Sequence, residues 1–103
     1  MKVGGMLGLA RRAGKLVSGD AAVKRAVMAG KARLVVVAAD AAPRTRRELA
    51  AIAGSYNVLV ITWGSKAELG SLAGKTPRAA VALLDGQMAQ GVLGTLKGEG
   101  FFR

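Results

Sequence analysis

The 103-residue sequence contains no cysteine and no histidine. Their absence excludes a disulfide framework, Cys/His zinc sites, haem or iron–sulfur ligation, and any catalytic dyad built on a thiol or imidazole. Aromatic residues are sparse, with one Trp, one Tyr and two Phe. No uninterrupted apolar run is longer than Leu34–Ala39, whereas a bilayer-spanning helix needs about 20 apolar residues. The N-terminal segment is broken by Arg11 and Arg12, has no A-x-A cleavage signal and reads as no secretory leader, so a cytoplasmic location is expected. Acidic residues are scarce as well, at 6 against 16 Lys and Arg, for a formal charge of +10.

What is present suits a single binding domain. The length is that of one core, and 51% of the residues are apolar, enough to fill it. We assign residues 1–96 to one α/β domain and 97–103, with Phe101 and Phe102, to a C-terminal tail. The cationic surplus is uneven: residues 1–50 carry 11 basic and 3 acidic side chains, and residues 51–103 carry 5 and 3. A basic face directed at a polyanion produces such a skew. No stretch joins a broad Phe/Trp/Leu face to a basic one, so a membrane surface is not the expected partner.

Two kinds of segment alternate along the chain. Leu34–Ala39, Val58–Thr62 and Ala79–Leu84 are short apolar runs that read as buried strands, with Lys15–Ser18 as a weaker one. Helical patterns separate them. Val3, Met6, Leu7 and Ala10 form one apolar stripe; Val23, Ala26 and Val27 form another over Ala21–Ala29, with Ser18 or Asp20 as its cap and Gly30 just past its end. Pro43 opens a helix running to about Ser55, whose Leu49, Ile52, Ala53 and Tyr56 point inward and whose first turns display Arg44, Arg46 and Arg47. Further helices are expected over Lys66–Ala73 and Gln87–Leu96. Strands alternating with helices predict an α/β/α sandwich.

Three motifs invite a functional reading. Gly70-Ser-Leu-Ala-Gly74-Lys75-Thr76 looks like a phosphate-binding P-loop, but it has one residue too few between its glycines and follows a helical pattern instead of a strand. It reads as a helix stop before the last strand. Gly4-Gly5-Met6-Leu7-Gly8 has no strand ahead of it to make a dinucleotide-binding turn, and close helix packing explains it. Ser18-Gly19-Asp20 opens a helix whose unpaired N–H groups and dipole favour an anion, with Lys24 and Arg25 one turn in. Trp63, after the third strand, either stacks on a base or covers the end of the sheet. The serines have no imidazole partner, and the carboxylates show no pairing spacing. No catalytic residue, metal ligand or cofactor is assigned.

Three blocks then stand in unbroken order: Leu7–Gly19 (LGLARRAGKLVSG), Gly30–Pro43 (GKARLVVVAADAAP) and Ser65–Gly70 (SKAELG). Together they resemble the ribosomal protein L-seven-Ae family and, within it, the bacterial YlxQ-like branch, over about residues 3–90. The resemblance implies a three-layer α/β/α sandwich with a four-stranded mixed sheet, and non-catalytic recognition of kink-turn RNA. It maps RNA contacts onto Gly19, Asp20, Ala21, Ala22, Lys24 and Arg25 at the second helix, and onto Thr76, Pro77, Arg78 and Ala79 before the last strand, with Asp40 adjoining. Where archaeal members carry Asn and Glu to bond guanine edges, this chain has Ala21 and Ala22, so the resemblance implies recognition of RNA shape and phosphates here. The partner is expected to be kink-turn or ribosomal RNA, in a ribonucleoprotein or translation setting, bound by a monomer. The alternative is a protein-interaction or assembly factor for the translation machinery with little RNA specificity.

Overall fold

A computed structural model describes residues 2–98. The apolar runs form strands β1 (Leu16–Ser18), β2 (Leu34–Val37), β3 (Val60–Thr62) and β4 (Ala80–Leu83). Helices α1 (Val3–Arg12), α2 (Asp20–Met28), α3 (Pro43–Ser55), α4 (Lys66–Leu72) and α5 (Gly86–Gly98) connect and flank them. The strands line up as β1-β4-β2-β3. β4 is antiparallel to both β1 and β2, and β2 is parallel to β3, so the sheet is mixed. Every residue of β2 and β4 is buried, as their continuous apolar sequences require of strands covered on both faces. α2 and α3 pack together as one layer; α1, α4 and α5 form the other.

The register defines two ends of the sheet. Ser18, Val37, Thr62 and Ala80 stand at the upper end; Leu16, Leu34, Val60 and Leu83 stand at the lower end. The starts of α2, α3 and α4 follow strands that finish at the upper end, so all three helix N-termini gather there.

The core is built from leucine and valine. Leu7, Leu34, Leu49, Leu69, Leu83 and Leu96 are fully buried, and each such side chain contributes about 1.5–3 kcal/mol on leaving water. Small residues let the helices approach. A Cβ on Gly4 would sit 3.4 Å from the Trp63 ring, and one on Gly91 would sit 2.5 Å from the Met6 methyl. Trp63 is thus held partly buried against α1, at the end of the sheet.

Several sequence expectations need correction. Tyr56 does not point inward: it is 48% exposed. α3 stops at Ser55, and Asn57 enters the left-handed region at φ 57°, so the chain leaves the helix stripe at Tyr56. Neither Ser18 nor Asp20 caps α2, because the cap residue is Gly19 and no side chain bonds to the first amides. All four strands are shorter than the runs that predict them. α5 continues through Lys97 and Gly98, two residues into the segment expected as a tail. The Phe101–Phe102 pair lies outside the described residues.

Candidate nucleic-acid interface

Gly19 begins the site. Its φ of 93° is accessible to glycine at little cost and turns the chain sharply from β1 into α2. Its N–H donates to the Ala80 carbonyl (2.9 Å) and its carbonyl accepts from Val23 N–H (2.9 Å). With no side-chain cap, the positive end of the α2 dipole is left to solvent beside exposed Ala21 and half-buried Ala22.

The segment before β4 reaches the same place. The Arg78 side chain lies over Gly19, where a Cβ would be 3.7 Å from Arg78 Cδ. Arg78 Nη1 donates to Thr76 Oγ1 (2.9 Å) and to the Pro77 carbonyl (3.4 Å), which steadies the guanidinium on its own loop. Thr76 and Pro77 are exposed; Ala79 is half-buried, and its carbonyl accepts from Ala38 N–H (2.8 Å). The loop is seated on α4 through Gly70, where any Cβ would overlap the Thr76 carbonyl oxygen and approach the Pro77 Cα to 2.7 Å.

Asp40 is tied in through α4. Its carboxylate accepts from Lys66 N–H (2.8 Å), and the Lys66 carbonyl accepts from Arg78 N–H (3.0 Å). A carboxylate at this helix start suits the macrodipole. Ser65 and Glu68 complete the N-terminus as a capping box: Ser65 Oγ accepts from Glu68 N–H and Glu68 Oε1 from Ser65 N–H, both at 3.0 Å. The loop after β2, the start of α4, the loop before β4 and the start of α2 therefore form one continuous upper rim. Positions 19–22, 40 and 76–79, dispersed in sequence, converge on it, whereas Lys24 and Arg25 lie further along α2.

Lys24 is the exception within the group. Its Nζ sits 3.1 Å from Glu48 and 4.0 Å from Asp20, and Arg44 Nε lies 3.2 Å from the other Glu48 oxygen. The hydrogen bonds from Lys24 and then Arg44 hold the Glu48 carboxyl below its ordinary pKa of 4.5. Lys24 thus ties α2 to α3, while Arg25 stands exposed in the last turn of α2.

Local sequence does not signal every part of this site. Asp40 anchors the rim through a backbone amide, a bond between positions 26 residues apart that no short pattern marks. The Ser65-x-x-Glu68 capping box, in contrast, is a legible helix-start pattern. Beside the rim a shallow groove of about 330 Å³ runs between α3 and β3, lined by Val37, Pro43, Arg46, Arg47, Val60 and Thr62. The tempting P-loop resolves as the end of α4, with Gly74 at φ 70° just past the last turn.

Comparison with known proteins identifies the family. A profile of the ribosomal protein L7Ae/L30e/S12e/Gadd45 family matches residues 1–92. The chain is 34% identical to the RNA-binding protein YlxQ of Bacillus subtilis over 91 residues, which are 88% of this chain and 91% of that protein. With the Enterococcus faecium RNA-binding protein YlxQ it shares 33% identity over 85 residues, 82% of each. Among solved structures, a Bacillus halodurans protein of unknown function superposes with a TM-score of 0.87 at 31% identity, over 93% of this chain and 97% of that one. The 15.5 kD RNA binding protein of Giardia lamblia superposes with a TM-score of 0.77 at 22% identity, over 90% and 82%, and shares the fold. The sandwich, its strand order and the profile match over residues 1–92 lead to one conclusion: this chain belongs to the ribosomal protein L7Ae/L30e/S12e/Gadd45 family.

Proposed function

We propose that the protein is a non-catalytic RNA-binding protein that engages a kink-turn or similarly bent RNA at the upper rim. The observation that carries the reading is the placement of Arg78 over Gly19, which joins a free helix N-terminus to an oriented guanidinium within one rim. The α2 amides and Arg78 suit phosphate oxygens, with Gly19 removing the side chain that would hold a backbone away. Curated relatives named as RNA-binding proteins support the same partner. Ala21 and Ala22 offer no side-chain donors or acceptors, so discrimination rests on the shape of the RNA and the spacing of its phosphates. We place this role in the cytoplasm, in a ribosomal or other ribonucleoprotein setting.

The test compares a kink-turn duplex with a straight duplex of equal length at two salt concentrations. A preference for the kinked RNA that persists at the higher salt supports the reading. Equal affinities that collapse together with salt overturn it, since counterion release alone produces that behaviour. Arg78→Ala is expected to weaken kink-turn binding by about 1.5–3 kcal/mol, the scale of charge-assisted hydrogen bonds. Unchanged binding would remove Arg78 from the site.

A further inference from the structure

The upper rim does not hold all of the positive charge of this molecule. Among the described residues there are five carboxylates, and four of them (Asp20, Asp40, Glu48 and Glu68) belong to the loops and opening turns of the upper half. The lower end holds only Asp85, one of whose oxygens is engaged by Met88 N–H at the start of α5 (3.0 Å). Six exposed cations lie where helices end or strands begin on that side: Arg11, Arg12, Lys15, Lys31, Arg33 and Lys75.

Backbone bonds fix where they stand. Lys15 and Arg33 flank the end of β4, since Leu84 N–H donates to the Lys15 carbonyl (2.9 Å) and Arg33 N–H to the Leu83 carbonyl (2.7 Å). They are therefore about two strand spacings apart, roughly 10 Å. Lys31 follows α2, and its N–H closes onto the Ala26 carbonyl (2.9 Å). Across the sheet the Arg11 guanidinium packs on Gly74, within 2.7–2.9 Å of the point a Cβ would occupy, next to Lys75.

We infer that this lower pole is a second polyanion surface, which takes the phosphodiester backbone of an RNA double helix, so that one molecule joins two RNA segments. Three of the six cations are lysines, which suit phosphates as point charges and are depleted in protein–protein interfaces. The exposed apolar side chains Met28, Tyr56 and Leu59 stand toward the ends of α2 and α3 and the β3 edge, on the Arg33 side of this surface, where Tyr56 and Arg33 line one small hollow. The molecule spans about 28 Å between surfaces, which lets both poles be occupied at once. The inference draws on the proposed function only for the kind of polymer, not for the upper rim.

The experiment saturates the full chain with an unlabelled kink-turn RNA and titrates in a fluorescent straight RNA duplex. A complex of two RNAs per protein is expected. Arg12→Gln, Lys15→Gln, Lys31→Gln and Arg33→Gln together should weaken straight-duplex binding about tenfold or more, with kink-turn affinity kept within about twofold. The salt slope should fall by about one for each phosphate that is no longer neutralised. Lys15→Gln with Lys31→Gln alone should give about half that effect on a logarithmic scale. Arg78→Ala separates the two surfaces: straight-duplex binding that survives it supports the lower pole even if kink-turn recognition fails. One RNA per protein, unchanged duplex binding by the four-fold variant, or equal displacement by polyglutamate at matched charge would each overturn the inference, the last in favour of an acidic protein partner.

Discussion

Gly70 shows how much one side chain can decide. The loop carrying Thr76 to Ala79 rests directly on α4 because position 70 has no Cβ, and a methyl group there must displace backbone atoms of Thr76 and Pro77. Gly70→Ala is expected to cost about 1–3 kcal/mol, the usual penalty for overpacking a closed contact, measured as a drop in the denaturation midpoint. It should also weaken RNA binding, because the loop it displaces holds Arg78. Glu48 acts by charge instead. Its carboxyl titrates below the ordinary 4.5 because Lys24 and Arg44 bond its ionised form. A depressed folded-state pKa adds stability that is present above the unfolded value and disappears as pH falls through the folded one. Acid unfolding below about pH 4.5 should therefore be shallower in Glu48→Gln than in the parent, as circular dichroism would record.

Among the elements, α4 and α2 present opposite N-termini. α4 is closed by Ser65, Glu68 and the distant Asp40, so the amides of Ser65, Lys66 and Glu68 are satisfied within the protein. Ser65→Ala should cost about 1 kcal/mol, the typical value of an N-cap side chain, and lower Tm by about 4–8 °C in thermal melts of a domain of this size. α2 has no such closure and keeps its amides available at the rim. Gly19→Asn is expected to lower Tm, because φ 93° with ψ 146° is strained for any residue with a Cβ, and to weaken RNA binding by calorimetry, since the new side chain meets Arg78. Lys24→Ala belongs to this scale too. Because Lys24 bridges α2 to Glu48 on α3, the variant should lose more in Tm than in RNA affinity, and the reverse is expected of Arg25→Ala.

At the scale of the molecule, charge and topology act together. Strands that end at the upper edge deliver three helix N-termini and most of the carboxylates to one rim, several of which are consumed in caps and ion pairs. The lower edge receives helix C-termini, where cations are favoured by the dipole and few acids offset them. Total RNA affinity should consequently fall steeply with salt, with a slope in log K against log salt that reflects cations from both ends and not from the rim alone.

Much of this is legible in the residues. The apolar runs at Leu34, Val58 and Ala79 mark the strands, Pro43 marks the start of α3, and the mismatch of Gly70–Thr76 to a P-loop is clear from spacing alone, because period, run length and turn chemistry are local properties. The boundaries at Tyr56 and Leu96, and the missing cap on α2, are not, since each depends on where the chain must go next. The sequence by itself determined the alternating elements, the cationic surplus, the lack of thiol and imidazole chemistry, and the three blocks that mark the family. Only the tertiary structure decided that Arg78 lies over Gly19, that Asp40 serves α4 and Lys24 serves Glu48, and that the remaining cations divide between two poles. The physical reason is that a side chain's role follows from what it faces, and strand order brings together partners tens of residues apart.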